Sequence, residues 1–254
     1  PFETEMLQNE MVYWSKNWDT INGGEQQNQK FITPVKLNYI QQYQHLNNDP
    51  KISAYFKRTL ENIANSGVVD HLKGGFYRYT VDPEWKFPHF EKMLYDNAQL
   101  MTLYSNAYKE FKNPLFKSTV YQTFYFLKKR MRNTKGAFYA AIDADNNQGE
   151  GRYYVFSTEE IKKIAGNDLA LLQDFYRIDL EHPFEESFHH LRQTDNLGGF
   201  LKKHAISSNQ LNQKRDAWEV QFETLKCQRE FPLVDTKIIT SWNALMISGL
   251  VSAY

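Results

Sequence analysis

The 254 residues include a single cysteine, Cys227. That scarcity excludes an internal disulfide, a Cys-x-x-Cys redox pair and a thiolate metal cluster. With no base visible beside it, Cys227 reads as packing rather than as a nucleophile. Net charge is also lacking, because 30 Lys and Arg are offset by 30 Asp and Glu. The whole-chain field therefore gives no general pull toward nucleic acid or an anionic membrane, and neither is expected as a partner. The apolar runs last only a few residues, far short of the ~20 that cross a bilayer. The N-terminus has no signal-peptide pattern, so the expected location is cytoplasmic.

Glycine and proline are few, 12 and 8, so the places where they gather carry information. Residues 74–97 hold a glycine pair, Pro83 and Pro88, and a dense set of aromatics, acids, an arginine and a histidine. Glycine permits backbone geometries that other residues resist, and proline stiffens the chain around it. The segment reads as a shaped loop between two helices. The 41% hydrophobic content is enough for a core.

The remaining pattern is mostly helical. Residues 2–19 read as a short amphipathic helix, and the polar stretch with Gly23 and Gly24 up to Lys30 reads as a linker, so the expected organisation is residues 1–30 ahead of a body at 31–254. Pro34 starts a helix to about His45. Asp49 caps a second, with Ile52, Tyr55, Phe56, Leu60 and Ile63 on one face. Phe90, Leu94, Asn97, Met101, Tyr104, Tyr108 and Phe111 advance by fours and threes as a long helix, followed after Asn113-Pro114 by another on Phe116, Val120, Thr123, Leu127 and Met131. Residues 138–142 and 153–156 are strand-like and predict a β-hairpin closed by the loop 143–151. Ser157 opens a short helix with a capping box, Asn167-Asp168 opens another, and a longer helix spans about Ser207 to Gln228.

Gly74-Gly75-Phe76-Tyr77 with Asp82 recurs as Gly136-Ala137-Phe138-Tyr139 with Asp143, 62 residues later (136 − 74). Each copy follows a helical hairpin. The fold class expected is mainly all-α, a toroid of stacked α-hairpins with an inserted β-hairpin and with loops gathered on one face.

The decapeptide from Pro88 to Asn97, together with Gly74-Gly75-Phe76, Arg78-Tyr79, Phe138-Tyr139, Asp143-Ala144-Asp145, Glu150-Gly151, Tyr153-Tyr154-Val155 and the run from Asp235 to Met246, resembles the signature of the YyaL-like, spermatogenesis-associated family. The resemblance implies an N-terminal thioredoxin-like domain followed by an (α/α)6 barrel related to six-hairpin glycosidases and N-acylglucosamine 2-epimerases. The present chain would then be a fragment covering part of that barrel, with the thioredoxin-like domain of the parent as a partner. Two departures from the family pattern are the missing Ala-Pro-Lys-Phe-Pro run near Phe31 and Thr236 in place of Asp.

A barrel of this class presents carboxylates and histidines at one mouth, where an acid protonates a leaving oxygen or a base removes a proton beside a carbonyl. The expected catalytic residues are His89, Glu91, Asp96 and Asp143, and the expected substrate contacts are Tyr77, Arg78, Trp85, Asn97, Asp145, Trp242 and Asn243. His89 is placed in the first turn of the long helix, where the helix dipole would favour a neutral imidazole, or where it would brace the helix. Asn97 lies on the apolar stripe, either as a buried hydrogen-bonder or as a ligand contact. Arg78 is expected to pair with Asp82 or Glu84. Asp143-x-Asp145 lacks the glycine and distal glutamate of a calcium loop, and His189-His190 has no acid at ligand spacing, so neither a metal nor a cofactor is expected. The expected activity is carbohydrate binding or epimerase- or glycosidase-like turnover, against a non-catalytic module that presents clients or partners to the thioredoxin-like domain.

Overall fold

The computed structural model describes residues 4–254. Helix α1 (Thr4–Ser15) corresponds to the helix expected over 2–19, whose first two residues lie outside the described ones. The segment after it is anchored. Trp18 stacks flat on Tyr55 at 3.8 Å, and the fully buried Lys30 ammonium reaches Asp19 Oδ2 at 2.5 Å and the Gly23 carbonyl at 2.7 Å. The glycine loop thus packs on the body, ending in β1 (Lys30–Phe31).

Helices α2 (Pro34–Asn47) and α3 (Pro50–Asn65) form the first hairpin. Asp49 accepts hydrogen bonds from the amides of Lys51 and Ile52, so α3 starts where its cap dictates, and Phe56, Leu60 and Ile63 are fully buried along its inner stripe. Next come three two-residue strands, β2 (Tyr79–Thr80), β3 (Pro88–His89) and β4 (Lys92–Met93). The second helical hairpin is α4 (Leu94–Phe111) and α5 (Pro114–Phe126), with Asn113 capping α5. A π-helical turn, Leu127–Met131, comes after it.

The inserted hairpin is present, but not where the pattern placed it. β5 (Ala141–Ile142) pairs with β4, and β6 (Asp145–Asn146) with β7 (Gly149–Glu150) makes the tight hairpin inside the segment expected to be its loop. Tyr153 and Tyr154 end a turn and Val155 follows it, all three with side chains buried in the core, which explains their strand-like composition without a strand. β8 (Phe156–Ser157) leads into α6 (Thr158–Ala165), where Ser157 and Glu160 complete the expected capping box. Then come α7 (Leu169–Tyr176), β9 (Phe188–His189), α8 (Leu197–Lys203) and α9 (Ser208–Lys226). The last described elements are β10 (Val234–Asp235) and α10 (Thr240–Ala253).

α2, α4 and α10 stand in one row, and α3 and α5 stand in a second row behind it. This is the two-layer order of a toroid of α-hairpins. Two apolar clusters hold the molecule together, one under these rows and one among α6, α7, α8 and α9. The strands form small antiparallel sheets, β1-β2-β3 and β10-β5-β4, and the pairs β6-β7 and β8-β9. No described helix is long and apolar enough to cross a membrane.

The 62-residue recurrence is structural. Val69 bridges Phe76 in the first copy as Arg132 bridges Phe138 in the second. In the first copy, Gly75 has φ +81°, and a Cβ there would come within 2.4 Å of the Phe126 ring. A glycine is therefore required. The acids of the two copies have different work. Asp82 accepts from the amides of Glu84, Lys86 and Phe87, whereas Asp143 accepts only from its neighbour Ala144.

Candidate functional site

The motif 88–93 is extended, not helical, with β3 and β4 on either side of residues 90 and 91, and α4 begins only at Leu94. His89 therefore has no helix dipole acting on it, and the neutral imidazole expected from a first-turn position loses that cause. The two-residue alternation of extended backbone instead turns Phe90 and Lys92 into the core, 0% and 1% exposed, and leaves His89 and Glu91 on the open face.

On that face His89 Nδ1 lies 2.6 Å from Glu150 Oε1. The His89 ring stacks on Tyr79, its register partner across β2 and β3, with centroids 5.0 Å apart. Glu150 comes from β7, with Asp145 of β6 as its register partner, so the small hairpin carries it back to His89. Arg78 Nη1 pairs with Glu91 Oε2 at 3.2 Å, not with Asp82 or Glu84. Trp242 meets the edge of Tyr95 at 4.8 Å.

Asp96 sits in the first turn of α4 beside this group. Its Oδ2 is buried with no hydrogen-bond partner. Burial pushes the carboxyl up to about 7, against the opposing pull of Arg78 and Tyr95. Arg78, Tyr95 and Glu91 are the groups that act on Asp96, so its raised carboxyl belongs with the Arg78–Glu91 pair.

The structure links Arg78 with Glu91 and Asp96 and, through Tyr95, with Trp242; His89 and Glu91 share the outward side of the alternating segment 88–93, and Tyr77, Trp85, Asn97 and Asn243 are used elsewhere. Tyr77 and Trp85 are each 1% exposed. Tyr77 is packed against Phe90, Tyr154 and His190, and Trp85 Nε1 donates to the carbonyls of Asn22 and Gly23. Asn97 spends its amide on backbone: Oδ1 accepts from Phe76 N, and Nδ2 donates to the carbonyls of Phe76 and Met93. Asn243 does the same with Phe138 and Ile239. Of the two readings left open for Asn97, the buried hydrogen-bonder is the one its geometry fits. Asp143 and Asp145 are exposed on the hairpin segment.

Two features escaped the sequence reading. Glu150 counted in the family resemblance but not as a site residue, because only the β6–β7 turn carries it back to His89. Asp70 is buried and holds Lys92 Nζ at 2.8 Å, with Lys226 Nζ at 3.7 Å. Burial alone would raise the Asp70 carboxyl, but Lys226 and Lys92 outweigh it and hold it well below the usual range. Burial lowers Lys92 to about 8 despite Asp70. His190, one of the histidine pair, donates from Nε2 to the Gly67 carbonyl at 2.7 Å and is held neutral by burial, down to about 3.

No family model matches the chain. It is 33% identical over 223 residues to an uncharacterized protein of Caenorhabditis elegans, covering 78% of this chain and 30% of the relative. It is 28% identical over 264 residues to human spermatogenesis-associated protein 20, covering 92% and 34%, and 27% identical to the mouse protein of that name, covering 92% and 33%. The chain therefore spans about a third of the length of the curated relatives it matches. Among solved structures it has weak likeness to a sugar epimerase from a ruminal bacterium (15% identity, TM-score 0.49, 98% of this chain and 81% of the other). A cellobiose 2-epimerase from Bacillus thermoamylovorans is similar at 13% identity and TM-score 0.48, with the same coverage.

Proposed function

We propose that this chain is a section of an α/α toroid of the YyaL-like, spermatogenesis-associated kind, and that its open face binds or turns over a carbohydrate. The observation that carries the reading is the 2.6 Å contact between His89 Nδ1 and Glu150 Oε1. A carboxylate on Nδ1 fixes the tautomer and orientation of the imidazole and leaves Nε2 to take or give a proton. Asp96, poised near 7, supplies the complementary proton donor or acceptor. Arg78, Glu91 and the Tyr95–Trp242 pair offer a fork donor, an acceptor and apolar ring surface, the groups that recognise vicinal hydroxyls and a sugar face. Proton abstraction beside a carbonyl, as in an epimerase, uses such a pair directly. Glycoside cleavage uses it with Asp96 as acid.

Calorimetric titration with mono- and disaccharides tests this. Heat is expected with at least one sugar, and it should vanish in His89→Ala and weaken in Glu150→Gln. A flat titration across the panel overturns the reading.

The second reading is a non-catalytic module serving a thioredoxin-like domain of a parent protein. It is favoured by Tyr77, Trp85, Asn97 and Asn243, whose polar groups or rings are used inside the architecture. It predicts that insulin reduction by such a parent changes when this region is deleted, and an unchanged rate removes it.

A further inference from the structure

The face of β4 opposite His89 and Glu91 leads to a second assembly that the sugar reading does not use. Lys92, Lys226, Lys73 and Arg130 converge with Asp70 on a small cavity of about 10 Å³. Such a space holds about one water-sized atom. Its remaining walls are aromatic, with the Lys226 ammonium 4.8 Å from the Tyr153 ring and Lys92 4.4 Å from that of Phe126.

Charge in this cavity is not balanced. Four cations and Asp70 line it, and outside the lining Glu223 pairs with Lys73 at 3.0 Å and with Lys226 at 3.6 Å. Lys226 is 1% exposed, yet its nearest carboxylate oxygens stand 3.6 and 3.7 Å away, beyond a normal hydrogen bond. Among the described residues the Lys226 ammonium makes no hydrogen bond within 3.5 Å; Glu223 Oε1, buried and itself without a partner, stands 3.6 Å away, and the Tyr153 and Tyr154 rings lie at 4.8 and 5.3 Å. Arg130 lies on the π-helical turn Leu127–Met131, an irregularity that re-aims side chains. Its guanidinium is set over the Phe231 ring at 4.8 Å, and among the described residues no carboxylate is within ion-pair distance of it.

The structure assigns this cavity as an anion site that receives one oxygen of a phosphoryl group, with the rest of the group at the mouth between Lys73 and Arg130. A planar guanidinium and a lysine at the mouth match a tetrahedral oxyanion, and the buried Lys226 supplies the acceptor-seeking charge at the bottom. The low-dielectric aromatic walls strengthen each of these contacts. Water would fill the space but would leave the excess positive charge uncompensated. The same chemistry fits free phosphate and a phosphate ester.

Melting temperature at constant ionic strength is the test, with sodium chloride exchanged for inorganic phosphate or for glycerol phosphate. A rise with phosphate above that with chloride is expected, with apparent affinity at least tenfold weaker in Arg130→Gln. Tighter binding of the ester identifies a substrate-borne phosphate, and tighter binding of the inorganic ion a free one. Lys226→Met, which replaces a buried charge by a chain of similar length, is expected to abolish the rise. Should that variant not fold, Arg130→Gln and Lys73→Gln still decide the matter. An identical response to chloride and phosphate, or an undiminished phosphate response in Arg130→Gln, overturns the assignment. Sugar binding at His89 is independent of it and should survive Arg130→Gln.

Discussion

Asn97 grips Phe76 as Asn243 grips Phe138: in each pair one side-chain amide accepts from the phenylalanine N–H and donates to its carbonyl, while also reaching back four residues along its own helix. Each clamp ties a Gly-x-Phe-Tyr turn to the first turn of a helix in the front row. The first clamp is fully buried and the second is half-buried. Asn97→Ala leaves an amide and a carbonyl of Phe76 without partners in the core, and should cost about 2–4 kcal/mol. Asn243→Ala, where water can substitute, should cost about 1–2 kcal/mol. Urea unfolding of both variants checks the order, and equal or negligible losses would show that the clamps do not hold the turns.

Gly67 is a separate steric lock. A Cβ at this position would stand 1.9 Å from the Lys86 carbonyl oxygen and 3.1 Å from the His190 ring, so the backbone of the 85–86 segment must move to admit it. That displacement also disturbs the hydrogen bonds from Gly67 N to Trp85 O and from His190 to Gly67 O. Gly67→Ala should destabilise the fold by about 3 kcal/mol, the upper end for overpacking. A melting temperature within a degree of the parent protein would mean that the contact relaxes freely.

Much of the helical frame could be read from local rules. Asp49, Asn113 and Ser157 each cap the helix expected of them, and the apolar spacing of α3 is the spacing of its buried face. The stretch before α4 misled because two periods overlap there. Phe90 stands four residues before Leu94, so it extends the helical stripe backward, yet residues 88–93 alternate in and out as extended chain. What held them extended was pairing with β2 and β5, which no local pattern announces. The pairing of Glu150 with His89 and the Asp70–Lys92–Lys226 cluster were illegible for the same reason: the partners arrive from distant segments, and a charged residue in sequence reads as surface.

Asp70 is the only carboxylate within 4 Å of Lys92 among the described residues, and it shares its Oδ2 with Lys226. Asp70→Asn keeps the size and the turn-capping oxygen but leaves two buried ammonium groups without that charge. A loss of about 3–5 kcal/mol is expected, the cost of breaking a buried pair from one side. Asp70→Asn combined with Lys92→Met should recover part of it, because an apolar side chain then occupies the aromatic pocket. Chemical denaturation of the single and double variants measures the coupling, and strictly additive losses would refute the pairing.

Asp96 gives the fold a pH dependence of unusual sign. Burial raises its carboxyl to about 7 in the folded state, whereas the unfolded chain keeps it near the ordinary 3.8. Between those values the folded protein binds the proton that the unfolded one releases. The contribution of this group to stability is therefore complete below about pH 4 and is lost as the pH rises through 7. Most paired carboxylates, such as Asp70, act in the opposite direction, so the raw pH profile is a sum in which Asp96 is hidden. Subtracting the profile of Asp96→Asn isolates it, since the amide never ionises. The variant should gain stability relative to the parent protein steadily from about pH 4 to about pH 7.5, and then the difference should level off. Parallel profiles across that range would mean that Asp96 titrates as an ordinary carboxylate. Its role as a proton donor beside Arg78 and Glu91 would then fall with it.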